Sequence, residues 1–262
     1  MSKVSGSRAV AFEGFTKATN KVKQRIIAAS FGEVGTLKTS FWLSAPGPIA
    51  LFSLDQGLEG VIEPFQEEKD IWVKEYEWNP TDELSQQEAI DLRDEFIRNF
   101  EYAVQNARTV VIDKETQLWE LFRYAEFGAP NDAPKNYPQL YQRYRRLVNM
   151  PKAFDINFGL IQGMRTPWEP KINRKTGAQG AVKTDQRVRK GMDEVDELVH
   201  VNIEHFLGPV VGSEDEGNQF QMRIGKARGP GGRDIQNSTL PAMTFPEFAQ
   251  LVFPGTDESD WT

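Results

Sequence analysis

The chain alternates short apolar runs with longer amphipathic stretches. The runs at residues 25–31, 49–54, 109–113 and 156–162 are nearly continuous and each ends in polar residues, which is the form of strands buried on both faces of a parallel sheet. Between them, residues 38–44, 82–106, 116–127 and 137–150 read as helices. Such alternation predicts an α/β domain with a mostly parallel sheet flanked by helices. After Gln162 the pattern gives way to Gly-, Pro- and Lys/Arg-rich sequence as far as Gly191, the profile of a long mobile loop. Residues 197–206 and 220–227 alternate like strands around the acidic turn GSEDEG, predicting a C-terminal antiparallel hairpin that extends the sheet. A short helix at 245–251 and the polar tail GTDESDWT follow, and no internal repeat is visible.

Composition narrows the function classes. The 262 residues suit one sizeable domain, divided here into an N-terminal arm (1–24), a core (25–253) and an acidic tail (254–262). A formal charge of -7 excludes a protein that coats nucleic acid with its whole surface, while leaving room for a local basic groove. The absence of cysteine removes disulfides, thiolate nucleophiles and cysteine zinc sites, and two histidines cannot make a histidine-rich metal centre. Magnesium held by hydroxyl and carboxylate remains open. The first residues lack the apolar stretch of a signal peptide, and no later run has the length to cross a bilayer, so a cytoplasmic protein is expected.

The segment RIIAASFGEVGTLKTSFWL has the order strand, glycine-bearing loop, Lys-Thr, helix. Phosphate binding uses that order, because glycines let backbone N–H groups wrap a phosphate at a helix start. Gly32, Glu33, Val34, Gly35, Thr36, Leu37, Lys38, Thr39 and Ser40 would form an ATP site, with Lys38 reaching the β- and γ-phosphates and Thr39 giving its hydroxyl to Mg2+. Leu37 stands where a second glycine is usual, and the plainer reading is an ordinary turn between strand and helix. In ARTVVIDKETQLW a buried strand ends in Asp113, where a carboxylate would hold the magnesium beside Thr39. Hydrolysis needs a further carboxylate to polarise water. Asp55, at a strand end, is preferred by a small margin over Glu115, although Asp55 also suits a helix N-cap. Gln162 would sense the γ-phosphate, or is simply a polar strand end.

Taken together, GEVGTLKTS, Asp55 in LFSLDQGLEG, VVIDKET, Gln162 and KARG at 226–229 give a chain that resembles the RecA-like P-loop ATPases, most closely the compact recombination or single-strand annealing ATPases of tailed phages. The resemblance spans about residues 25–229 and implies a RecA-like core acting in the host cytoplasm. It implies a catalytic carboxylate on the strand after the phosphate-loop helix, which favours Asp55, and a glutamine heading a DNA-contacting loop, which favours Gln162. The Leu37 loop is similar to GxxGxxK[ST] loops of some RecA-fold helicases.

Residues 163–191 carry Arg165, Lys171, Arg174, Lys175, Lys183, Arg187, Arg189 and Lys190 with Trp168, against only Glu169 and Asp185. Basic side chains with an aromatic suit single-stranded DNA, the alternative being a solvated loop of incidental charge. The resemblance makes Lys226 and Arg228 a finger that crosses to a neighbouring subunit's γ-phosphate, and Phe15 and Ala18 an FxxA tether between subunits of a homo-oligomer. Structurally, Lys226 and Arg228 also suit exposed residues at a strand end, and Phe15 suits an ordinary intramolecular contact rather than a tether. The acidic tail with Trp261 suits either a partner protein or plain solvation. Four functions follow: a recombination or annealing ATPase on single-stranded DNA, a replicative helicase or loader, a nucleotide-binding module with little hydrolysis, and, last, a small-molecule kinase.

Overall fold

A computed structural model describes residues 23–55, 57–78, 84–128, 137–172, 179–184, 186–192, 194–210 and 217–262, with backbone alone for 168–172 and 179–183. In chain order the elements are β1 (Ile27–Gly32), α1 (Lys38–Leu43), β2 (Ile49–Ser53), α2 (Glu63–Gln66), β3 (Ile71–Glu75), α3 (Gln86–Asn106), β4 (Thr109–Asp113), α4 (Glu115–Phe127), α5 (Tyr137–Asn149) and β5 (Asn157–Gln162). There follow β6 (Met164–Arg165), β7 (Trp168–Ile172), β8 (Gln179–Lys183), β9 (Val188–Arg189), α6 (Val195–Leu198), β10 (Val201–Pro209), β11 (Asn218–Ala227), α7 (Gly232–Ile235), β12 (Thr239–Pro241) and α8 (Phe245–Val252).

Eight strands form one sheet in the order β12-β11-β10-β1-β5-β4-β2-β3. The six from β10 to β3 are mutually parallel, and β11 and β12 add antiparallel at the C-terminal side. The fold is therefore α/β, mostly parallel, with the expected antiparallel hairpin. Side-chain alternation along each strand divides the core into two layers. Ile27, Ala29, Phe52, Val110, Ile112, Phe158 and Leu160 pack under α3, α4 and α5. Ile26, Ala28, Leu51, Val111 and Ile161 face the opposite way, onto α1 and α8. Both faces are covered, so the central strands read as unbroken apolar runs.

Two contacts fix the helices that frame the site. Ser85 caps α3, accepting from the Glu88 amide at 3.2 Å while Glu88 accepts from the Ser85 amide at 2.8 Å; the helix thus starts later than residue 82. Trp42 of α1 lies flat on β5 at Gly159, where a Cβ would come within 2.5 Å of the indole, and its Nε1 donates to Ser30 Oγ at 2.9 Å. That seats the helix following the glycine-bearing turn against two strands at once.

Several expectations change. The alternating segment at 197–206 begins as α6, and its strand is Val201–Pro209. IWVKE forms the sheet-edge strand β3, too exposed to show a buried run. The basic segment 163–191 is no plain loop: β6 pairs with β9 and β7 with β8, making an antiparallel arm. Backbone ladders need no apolar composition, which is why Lys/Arg-rich sequence concealed them. The polar end is not a free tail either. Trp261 is 2% exposed, packs against Phe245 and Phe253, and donates to Thr256 Oγ1, while Arg108 donates to the Asp260 carbonyl at 2.8 Å. Indole burial outweighs the polarity of its neighbours, so Trp261 is no exposed anchor. Among the described residues, no helix is long and apolar enough to cross a membrane.

Candidate functional site

The carboxyl ends of β1, β2, β4 and β5 open onto a cleft of about 370 Å³, the place where parallel α/β sheets hold ligands. Gly32, Val34, Gly35, Thr36, Leu37, Lys38, Thr39 and Ser40 line it together with Asp55, Asp113 and Gln162. Glu33 belongs to the same turn but is not part of that lining.

Gly32 is required where β1 ends. Its φ is +151°, and a Cβ there would stand 2.1 Å from the His205 carbonyl oxygen of β10. Leu37 adopts φ 65°, ψ 17°, the left-handed conformation that suits glycine, and is 41% exposed. The turn thus keeps the glycine conformation without the glycine, at a cost of about 1–2 kcal/mol. Lys38 folds back over the turn, donating to the Glu33 carbonyl at 2.5 Å and to Thr36 Oγ1 at 3.2 Å. Burial lowers its pKa, opposed chiefly by Asp113.

Thr39 Oγ1 donates to Asp113 Oδ2 at 2.8 Å. Burial raises the Asp113 pKa, and the Thr39 hydrogen bond opposes the rise. A desolvated carboxylate beside a hydroxyl, open to a cleft, fits Mg2+, which takes one or two protein oxygens and completes its shell with water and phosphate oxygens. Ser53 Oγ, in register with Asp113 on the neighbouring strand, is buried without a partner. No cluster of three or more His, Cys, Asp or Glu side chains capable of holding a metal exists among the described residues, so phosphate oxygens would have to supply part of the shell.

Asp55 lines the cleft, ion-paired to Lys114 at 2.9 Å. Glu115 lies elsewhere. Lys114 turns the chain through φ 65°, ψ 51°, so Glu115 starts α4 fully buried behind the cleft. Tyr144 donates to its Oε1 at 2.5 Å and Gln162 Nε2 to its Oε2 at 2.7 Å. Burial raises the pKa of Glu115, and burial and Glu115 together raise that of Tyr144. Gln162 is wholly buried, and its Oε1 has no partner. The root of the basic arm closes over this pair. Gly191, at φ +129°, would carry a Cβ only 2.2 Å from Glu115 Oε2 and 2.6 Å from Gln162 Nε2, and Thr116 donates to the Lys190 carbonyl.

The arm also touches the turn directly, Arg187 ion-pairing with Glu33. Arg189 pairs with Asp196 and lies 5.5 Å over the Phe31 ring. Lys190 is exposed, and Arg165 lies on β6. Trp168, Lys171 and Lys183 are placed by backbone only, while Arg174, Lys175, Phe15 and Ala18 lie outside the described residues. Lys226 and Arg228 sit at the opposite end of the sheet from the cleft, Lys226 Nζ donating to the Val199 carbonyl at 2.8 Å. Sequence reasoning missed Lys114 and Tyr144. Lys114 adjoins Asp113 in VVIDKET, a usable signal; Tyr144 gives none, being one of several aromatics on α5.

No protein-family model matches the chain, and no curated protein sequence matches it significantly. Among solved structures it is similar to a KaiC-like protein from the hyperthermophilic archaeon Pyrococcus horikoshii OT3, at 13% identity and a TM-score of 0.45, over 82% of this chain and 84% of that one.

Proposed function

We propose that this chain is a RecA-like P-loop ATPase that binds ATP and Mg2+ in the strand-end cleft and couples the nucleotide to single-stranded DNA, as a phage-type recombination or annealing protein does. The observation that carries the reading is the 2.8 Å bond from Thr39 to the buried Asp113, set beneath a turn whose Lys38 folds back onto the Glu33 carbonyl and the Thr36 hydroxyl. A phosphate chain would replace those two oxygens as the acceptor for Lys38, and the backbone N–H groups of the turn would hold the phosphate oxygens. Thr39 and Asp113 would hold magnesium, which neutralises charge developing on the phosphates. Asp55 is the better candidate to orient water, since it lines the cleft and Glu115 does not. Gln162, whose Oε1 is unpartnered, lies between cleft and arm, and Arg165 and Lys190 of the arm would contact a DNA strand, while Arg187 is held by Glu33 of the turn and would link the two.

A finger role for Lys226 and Arg228 would act only in trans: Lys226 lies level with Ala29 and Arg228 beyond it, on the side of β1 away from the phosphate loop, with roughly 10 Å or more of strand between them and Gly32. That role needs a homo-oligomer and competes with binding of free phosphates at the same residues.

The test is ATP binding and hydrolysis with and without single-stranded DNA, alongside molecular mass in solution. DNA-stimulated turnover in an assembled species is expected; failure to bind ATP with magnesium overturns the reading. A second reading, a nucleotide-binding module with little hydrolysis, is favoured by one feature: Asp55 is tied to Lys114 and Glu115 is sealed. Retained affinity without turnover at any DNA concentration would select it.

A further inference from the structure

The end of the sheet remote from the cleft gathers basic groups from four segments. Arg25 stands just before β1 and His200 just before β10, and those strands run parallel with Ala28 opposite Val201. β11 returns antiparallel, bringing Lys226 opposite Asn202, and the Arg228 amide donates to the His200 carbonyl at 3.0 Å. Lys152 lies in the short 3-10 turn Met150–Ala153, whose carbonyls receive the Arg25 guanidinium: Lys152 O at 2.8 Å and Pro151 O at 3.2 Å. We propose that this foot of the sheet is a second polyanion site, in which Arg228, Lys152 and His200 receive clustered phosphate groups independently of the phosphate loop.

The five groups divide by what their donors already do. Arg25 and Lys226 are spent on backbone carbonyls, so they are held in place and contribute charge. Arg228 is exposed, and among the described residues its side chain has no hydrogen bond or ion pair. Among the described residues, Lys152 Nζ donates once, to Asn149 Oδ1 at 2.6 Å, leaving two hydrogens, and the half-buried His200 ring has no hydrogen-bond partner. The acids facing the cluster are Asp155, beside Arg25, and Asp196 and Glu197, beside Lys226. None of them acts on Lys152 or His200, whose charged neighbours are all basic.

The cluster consequently repels itself. His200 is lowered to about 4, first by burial and then by Lys152, Arg25, Arg228 and Lys226. Lys152 is lowered by burial and then by Arg228 and Arg25. In a chain of net charge -7 this concentration is local. Phosphate oxygens would relieve the repulsion, and several are needed because one anion leaves most of the cations unpaired. An imidazole that gains a proton as the anion enters offers a second N–H donor.

His200 and His205 are the only histidines, and His205, 2% exposed beneath the phosphate loop, reports the fold at the other end. The experiment follows both imidazoles by NMR through a pH titration of the full chain, alone, with inorganic triphosphate, and with a single-stranded thymidine oligonucleotide. A rise in the His200 midpoint is expected, saturating at one site, present in Lys38→Ala, and weakened on the order of tenfold by Arg228→Ala with Lys152→Ala while the His205 signal keeps its folded position. Response to triphosphate identifies a free oligophosphate site; response to the oligonucleotide alone identifies a nucleic-acid backbone site. An unmoved His200, or a response that vanishes in Lys38→Ala or grows with protein concentration, overturns the proposal, the last pointing to phosphates carried by a second copy. Failure of ATP to bind at the cleft would leave the Lys38→Ala result, and the inference, intact.

Discussion

Asp113 and Glu115 stand two residues apart at the end of the same strand, both desolvated, both with raised pKa, yet they sit in different environments. Among the described residues Asp113 has one side-chain donor, Thr39, and it faces the cleft. Glu115 is turned away by the left-handed Lys114, has a donor on each oxygen, and is covered by Gly191. A carboxylate with spare acceptor capacity next to a cleft is set up to take a cation. One whose oxygens are already satisfied by neutral donors is set up to hold its neighbours in place. The pair teaches that desolvation alone does not mark a reacting group, and that what fills the remaining lone pairs does.

Substitutions can separate the two sides. The largest effect is expected at Gly191→Ala, where overlap with Glu115 and Gln162 adds to backbone strain and costs of order 3 kcal/mol in urea unfolding. Gly35→Ala, on the open side with nothing within 4 Å, should cost only about 1 kcal/mol; equal costs would break the distinction. Next, Asp113→Ala should weaken magnesium-dependent ATP affinity roughly 10–100-fold in titration calorimetry without lowering stability. Tyr144→Phe should do the reverse, costing about 1–2 kcal/mol of stability while leaving affinity unmoved, because it orphans a buried carboxylate oxygen.

The smallest effect is in pH. A carboxyl whose folded pKa is raised keeps its proton in the folded state after the unfolded chain has lost it, so stability falls as pH rises above the ordinary carboxylate range, about 4. His200 and His205, lowered to about 4 and about 3, act oppositely, adding stability as pH rises toward about 6.5. The wild-type minus Glu115→Gln difference isolates the acid: it should decline above pH about 4.5, and a flat difference would remove Glu115 from the comparison.

Much of this architecture was legible in the chain. The four central strands showed because both their faces are buried, and the turn that lines the cleft because Gly32, Lys38 and Thr39 sit at a strand-to-helix junction. Asp113 was legible from its place at a strand end. Spacing could not separate Asp55 from Glu115, because the choice depends on one left-handed residue, Lys114, and on Tyr144, which arrives from α5. The arm and β3 escaped for a different reason: their ladders form through the backbone, while their side chains are polar or exposed. Trp261 escaped because a single aromatic in polar sequence carries no period, although tertiary packing buries it fully.

The grip of Arg108 on the last residues has a mechanical consequence. Its guanidinium holds the carbonyls of Asp260 and Thr262, at 2.8 and 3.4 Å, and the next residue begins β4. Load applied to residues 260–262 is therefore shared between the covalent chain back to α8 and the start of the strand that ends at Asp113, whose hydrogen-bonded neighbours are β2 and β5. Because a strand held between two parallel partners resists lengthwise pull by shearing several bonds at once, the two Arg108 hydrogen bonds would part before Asp113 moved.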